Sequence, residues 1–189
     1  MKIRETDVLR LGPDVVQRLI PHRRPLLMVD AVEAFVRGPQ PTLVARRQIS
    51  SNEPVFDGHF PGLHLWPGIY TIEGMGQTSL ILTVLLYLIE AHGEPILDKL
   101  RKLDRTYTIN PGPPVVLDEL TGDPRAGVAG QIDVKLLAPV YAGSELRYRV
   151  TLSHRMEAFA RFDVEAEVAG NVVARGTMTG VVGPLLRGT

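Results

Sequence analysis

The sequence predicts an α+β domain in which one long hydrophobic helix is wrapped by a curved antiparallel β-sheet. A largely apolar run fills residues 69–91, and its apolar side chains cover nearly the whole circumference of a helix. Strand-like segments with short polar connections flank this run on both sides. A helix that is apolar all round needs neighbours on most sides, so we expect the strands to enclose it.

Length and composition restrict the type of protein. The chain has 189 residues and a mass of 20.8 kDa, so we expect residues 1–189 to form a single domain. The 21 basic and 21 acidic side chains balance to zero net charge, so no global field favours a nucleic acid or an anionic membrane as partner. The absence of cysteine excludes disulfides and thiolate chemistry and favours a reducing, cytoplasmic location.

The predicted helix has clear ends. Gly68 follows Pro67, no proline occurs within residues 69–91, and Gly93 is a suitable C-terminal cap. The run is long enough to consider as a membrane span, but Glu73 and Gln77 interrupt it. We therefore expect a buried helix and no membrane span.

The strands are predicted from alternating and β-branched runs. Residues 145–152 alternate polar and apolar side chains strictly, and Gly170-Asn171 is a suitable two-residue hairpin turn. The predicted strands are residues 26–36, 42–49, 130–137, 145–153, 158–168 and 172–181. Between the helix and the third strand, residues 93–127 carry several Pro and Gly turn signals and are predicted to form an irregular insertion.

Two residues carry the predicted chemistry. His59 lies in the sequence DGHFPG at residues 57–62, and Glu73 follows Pro67-Gly68 inside the apolar run. An imidazole on a Gly/Pro loop and a carboxyl group near a helix start supply the base and the acid that remove a proton and a hydroxide from neighbouring carbons. The pair therefore indicates a dehydration.

Three segments carry a resemblance to a known family. They are IPHRRPLLMVD at residues 20–30, NEPVFDGHFPG at 52–62 and PGIYTIEGMGQ at 67–77, with a weaker fourth, PVYAGSEL, at 139–146. In these segments the chain resembles the (3R)-hydroxyacyl-[acyl carrier protein] dehydratases of the FabZ/FabA type. The second and third segments are specific, because they hold both His59 and Glu73 at the spacing of the family.

The resemblance implies a hot-dog fold and a homodimer. It implies that His59 of one subunit faces Glu73 of the other, with the acyl chain in a tunnel beside the central helix. The substrate would be a 3-hydroxyacyl group on acyl carrier protein, and the product its trans-2-enoyl thioester, in fatty acid or polyketide-type biosynthesis. Assembly of dimers into a trimer of dimers stays open.

Each step of this reaction needs its own group. His59, neutral near pH 7, would take the C2 proton, and Glu73, kept protonated by burial, would donate to the departing hydroxyl. The N–H groups of Gly68 and Ile69 at the helix start would bind the thioester oxygen. Gln77, one turn after Glu73, is expected to orient the carboxyl group.

The positions of three further residues in the sequence indicate their roles. Phe60 and Trp66 flank the predicted site and are candidate substrate-binding residues. His22 lies among Pro21, Arg23 and Pro25, so a structural role in a packed turn is expected for it.

Two alternatives remain open, a hot-dog acyl thioesterase and a non-catalytic acyl-binding subunit. The first does not need the loop around His59, and the second does not need both His59 and Glu73. The five histidines are scattered in the sequence, and neither a metal-ligand spacing nor a Gly-rich phosphate loop is present. We therefore expect no metal and no cofactor.

Overall fold

The computed structural model describes residues 4, 7–108, 127–156 and 159–182. Within these ranges the chain forms seven strands, three α-helices and a short 3-10 turn at Pro54–Asp57. The elements in chain order are β1 (Val8–Leu11), α1 (Pro13–Leu19), β2 (Ala31–Val36), β3 (Thr42–Gln48), α2 (Gly68–His92), α3 (Ile96–Leu103), β4 (Gly127–Leu136), β5 (Glu145–Met156), β6 (Phe159–Val168) and β7 (Asn171–Val182).

The strands form one antiparallel sheet in the order β1-β2-β3-β5-β6-β7-β4. Helix α2 packs against β3, β5, β6, β7 and β4. The alternation predicted for β5 is present, since Leu146, Tyr148 and Val150 are buried while Glu145 is exposed. The predicted hot-dog fold, a long helix wrapped by an antiparallel sheet, is confirmed.

Helix α2 matches its predicted limits. Gly93 ends it with a φ of 74° and donates its N–H to the carbonyl of Ile89 at 2.8 Å. By length and composition α2 could span a membrane, but 61% of its most apolar 18-residue window is buried within the fold. Its apolar circumference is therefore satisfied by the sheet, as expected for the core helix.

The structure corrects two predictions about the elements. The insertion predicted to be irregular at residues 93–127 begins with helix α3, and its residues 109–126 lie outside the described residues. The strand predicted at 26–36 begins only at Ala31, because the N–H of Met28 and the carbonyl of Leu26 bind the side chain of Gln77 instead of a neighbouring strand.

Strand β4 lies at one edge of the sheet and exposes both of its faces. Nearly all of its side chains are exposed. Four large apolar side chains on and just after this strand are each about half exposed, and we call them the β4 apolar band: Val128, Ile132, Leu136 and Leu137. An exposed edge strand with an apolar surface of this kind is a typical site for association.

Candidate active site

The loop that carries His59 is fixed at both ends by backbone hydrogen bonds. After the 3-10 turn Pro54–Asp57, the N–H of His59 donates to the carbonyl of Val55 at 2.9 Å. At the other end of the loop, the N–H of Trp66 donates to the carbonyl of Val140 at 2.8 Å. The loop is therefore attached to the segment between β4 and β5 as well as to the 3-10 turn.

The imidazole of His59 has one nitrogen engaged. Its Nδ1 lies 2.9 Å from the carbonyl oxygen of Leu65, and a carbonyl can only accept, so Nδ1 carries the hydrogen. The ring also stacks on Phe60, with 4.2 Å between centroids. In the neutral ring Nε2 is then the nitrogen with the lone pair, which is the form a general base needs.

His59 opens onto a cavity of about 440 Å³. The cavity lies between the start of α2, represented by Gly68 and Thr71, and the segment that follows β4. Its further lining residues are Leu65, Trp66, Leu136, Leu137, Ala138, Pro139, Val140 and Val173. We call this space the His59 cavity.

Glu73 lies in the second turn of α2 and is held by Gln77. The Gln77 amide donates to Glu73 Oε1 at 2.8 Å and to the carbonyl of Leu26 at 2.6 Å, while its own oxygen accepts the N–H of Met28 at 2.8 Å. Gln77 is only 1% exposed, so its three hydrogen bonds fix the amide and, through it, the carboxyl group. The hydrogen bond expected between Gln77 and Glu73 is present.

The Glu73 side chain is less buried than expected. It is 34% exposed in the single chain, because it lines a second cavity, of about 200 Å³. This Glu73 cavity follows α2 from Ile69 to Thr83, a length of about 20 Å at 1.5 Å per residue. Its walls are largely apolar and include Leu80, Phe162 and Met178.

His22 lies beside Glu73, where no functional role had been expected for it. Its Nε2 is 3.5 Å from Glu73 Oε1, and its side chain is 23% exposed in the same cavity. Its Nδ1 is buried and has no hydrogen-bond partner among the described residues. The expected role of His22 in a packed turn stays a prediction. The motif HRRP gives no signal of this contact, because the position of His22 depends on how residues 26–28 are tied to α2.

Within one chain the predicted site residues divide into two groups. Gly68 and Trp66 line the His59 cavity, whereas Ile69 and Gln77 line the Glu73 cavity. Successive residues of a helix point about 100° apart, so the first turn of α2 separates the two spaces. Phe60 is 48% exposed beside His59. The substrate-binding roles of these residues stay predictions.

A buried cation supports the loop that carries His59. Arg47 is 2% exposed; it donates to Asp30 at 2.7 Å and also pairs with Glu53, which precedes the 3-10 turn. Its guanidinium lies 5.8 Å from the ring centroid of Trp66, and the indole also packs edge-on against Tyr70. Trp66 is thus held from several sides as a rigid wall of the His59 cavity.

Residues 20–118 match the family model of the FabA-like domain. The 3-hydroxyacyl-[acyl-carrier-protein] dehydratase FabZ of Cereibacter sphaeroides is 48% identical over 68 residues, which cover 36% of this chain and 43% of the relative. The FabZ of Aeromonas hydrophila is 34% identical over 131 residues, covering 66% and 82%. The FabZ of Nitratiruptor is 29% identical over 167 residues, covering 88% and 94%. The first of these alignments spans less than half the length of the relative, and the other two span most of theirs.

Solved structures agree on the fold. The dehydratase heterocomplex ApeI:P from Xenorhabdus doucetiae superposes with a TM-score of 0.58 at 19% identity, covering 89% of this chain and 91% of the other. The HP0420 homologue from Helicobacter felis gives a TM-score of 0.53 at 12% identity, with 89% of each chain covered. The family match covers both His59 and Glu73, and the sequence prediction of this family is confirmed: the chain belongs to the FabA-like family.

Proposed function

We propose that this chain is a hydro-lyase that converts a (3R)-3-hydroxyacyl thioester on acyl carrier protein into the trans-2-enoyl thioester in fatty acid biosynthesis. The FabZ names of the relatives support this reaction. Two observations support the residue assignment: the imidazole of His59, on the loop before α2, is oriented by the carbonyl of Leu65, and the carboxyl group of Glu73, in the second turn of α2, is held by Gln77. Dehydration needs both groups, whereas thioester hydrolysis does not need the loop around His59.

His59 and Glu73 divide the proton transfers between them. His59 Nε2 takes the proton from C2, and the electrons of that C–H bond form the C2=C3 double bond. The C3–O bond breaks, and the proton of the Glu73 carboxyl group joins the departing hydroxyl, which leaves as water. After the reaction His59 is an imidazolium and Glu73 a carboxylate, so one proton has moved across the site.

The start of α2 supplies donors for the thioester oxygen. The first N–H groups of a helix have no acceptor within it, and those of Gly68 and Ile69 lie between the two cavities. Negative charge on the thioester oxygen grows as the C2 proton leaves, and these donors together with the helix dipole stabilise it. A Cβ at Gly68 would come 2.3 Å from a methyl carbon of Leu136, so glycine leaves this half-exposed side chain in place beside the helix start.

A second copy of the chain completes the site in this proposal. His59 and Glu73 open onto different cavities of one chain, and the β4 apolar band borders both of them through Ile132 and Leu136. A two-fold pairing across this band covers the exposed edge of β4 and places His59 of one subunit opposite Glu73 of the other. Each dimer then has two equivalent sites.

The acyl chain belongs in the Glu73 cavity. Its apolar walls favour a hydrocarbon chain, and its direction along α2 leads away from the reacting carbons toward Thr83 and Phe162. Carrier protein delivers the substrate in this proposal, and we place the enzyme in the cytoplasm. Further assembly into a trimer of dimers is measurable by light scattering after gel filtration.

Complementation between two inactive variants tests the shared site. His59→Ala and Glu73→Gln homodimers are each expected to lose most turnover of a 3-hydroxyacyl thioester, followed by the absorbance of the enoyl product. Subunits exchanged at equal ratio give about half mixed dimers, each with one intact site, so activity returns to about one quarter of wild type. Gel filtration of each variant confirms that the dimer persists.

The products separate the alternatives. Free acid in place of enoyl thioester would identify a thioesterase, and binding without turnover by the wild type would identify an acyl-binding subunit. Enoyl formation with no recovery in mixed dimers would leave the reaction in place but refute the sharing of one site between two subunits.

A further inference from the structure

The unexplained residue of the site is His22. Within the described ranges two polar groups approach Oε1 of Glu73, the amide of Gln77 at 2.8 Å and Nε2 of His22 at 3.5 Å. Gln77 can donate a hydrogen bond but cannot give up a proton, whereas an imidazole can do both. The turn that carries His22 is held by Arg23, whose guanidinium donates to the carbonyls of Ile20 at 2.9 Å and of His22 at 2.8 Å.

The proposed dehydration leaves a proton imbalance that must be corrected in every cycle. Glu73 ends each turnover as a carboxylate and His59 as an imidazolium. The next turnover therefore requires one proton to return to Glu73 and one to leave His59. In the proposed dimer His59 of one subunit faces Glu73 of the other, and no direct proton path between them is needed if each exchanges its proton with water.

We propose that His22 is the positioning residue that returns the proton to Glu73 between turnovers, an inference that rests on the proposed function. The Nε2–H of the His22 imidazolium passes its proton to Glu73 Oε1, and Nε2 then takes a proton from water in the cavity. His59 releases one proton on its side, so the cycle balances. The His22 ring is 23% exposed and lines the Glu73 cavity, so its Nε2 can exchange a proton with water there.

The contact already places the proposed proton donor beside the acceptor of the return step. Once the carboxyl group has given up its proton, Nε2 of His22 lies 3.5 Å from Oε1, in the same cavity. The positioning of Oε1 by Gln77 keeps this distance constant through the cycle. Removing His22 should therefore slow the recovery of the acid more than the chemical step itself.

Rapid-mixing kinetics on the full-length protein tests this order of steps. His22→Gln keeps a hydrogen-bond donor but cannot deliver a proton. Starting with protonated Glu73, its first turnover should stay within about threefold of wild type, while later turnovers slow by about tenfold to a hundredfold. The result is a burst of one enoyl product per active site. In His22→Ala, added imidazole should fill the space and restore the steady-state rate.

A matched control and two contrary results make the test decisive. His154→Gln changes an exposed histidine of β5 outside both cavities and should behave as wild type. If the first turnover of His22→Gln slows as much as the later ones, and imidazole gives no rescue, His22 is only structural and the proposal is wrong. If the wild type forms no enoyl thioester, the proposed function fails instead, so the two failures are distinguishable.

Discussion

Gly74 allows helix α2 to approach the sheet beside the site, and Gly74→Ala should show how closely. A Cβ at this position would lie 2.3 Å from both Cζ and Oη of Tyr148. Tyr148 is fully buried, so its ring has no room to move. Overpacking of this kind costs about 1–3 kcal/mol, and the better helix propensity of alanine returns at most about 1 kcal/mol. We expect a net loss of up to about 2 kcal/mol in the free energy of unfolding.

Urea denaturation at neutral pH measures this loss, and Gly76→Ala is its matched control. At Gly76 the nearest atom to a new Cβ is the terminal methyl of Met178 at 3.3 Å, and this flexible side chain can move aside. The free energy of unfolding of this variant should therefore equal that of the wild type or exceed it by up to about 1 kcal/mol. Adding Tyr148→Leu to Gly74→Ala should reduce the penalty of the alanine. A Gly74→Ala protein as stable as Gly76→Ala would refute the reasoning.

Two further variants address buried polar groups. Tyr148→Phe removes a buried hydroxyl that has no hydrogen-bond partner in the described part of the chain, and it should leave the stability at pH 7 unchanged or raise it by about 1 kcal/mol. Burial raises the pKa of Tyr148 above its usual value of 10.0, so the stability that comes from keeping this phenol protonated is present below pH 10 and is lost as the pH rises further. The phenylalanine variant should therefore unfold at a higher pH than the wild type in an alkaline titration. An unchanged midpoint of that titration would contradict this. Arg47→Met removes the buried cation shared by Asp30 and Glu53, while Asp30 keeps Arg24 at 3.9 Å. The variant should lower the unfolding free energy by about 3 kcal/mol, whereas an unchanged urea midpoint would show that the pairs contribute nothing.

The central part of the fold follows from local sequence patterns. The apolar residues of α2 cover all sides of the helix, and Pro67 and Gly93 lie directly outside it, so its burial and both of its ends were predictable. The strict alternation in β5 likewise predicted one buried and one exposed face. Both patterns are strong because the core helix and the central strand are buried by other elements of the same chain, so their burial is visible in the sequence.

Shorter elements were missed although they carried a signal. Helix α1 starts with Pro13 in its first turn and Asp14 after it, which is a typical helix start. Helix α3 buries Ile96, Leu97, Leu100 and Leu103, an amphipathic spacing hidden beside a Pro- and Gly-rich segment. Strand β4 has no buried face in the single chain, so alternation could not define its start.

The candidate site was predicted residue by residue but not as an arrangement. Sequence motifs indicated His59, Glu73 and the hydrogen bond from Gln77. They could not show that His22 reaches Glu73, because this contact requires residues 26–28 to fold over α2. They also could not show that His59 and Glu73 line separate cavities, which depends on the direction of each residue around the first turn of the helix.

The opening of His59 and Glu73 onto opposite sides of one helical turn has a consequence for how such a protein evolves. In the proposed dimer each copy carries two separable half-sites, so a mixed pair would keep one working centre when its members have lost complementary halves. After gene duplication, paralogues can therefore diverge into an obligate pair without ever losing turnover. For the same reason, the activity per milligram of protein should decrease when the protein is diluted far enough for the two copies to dissociate.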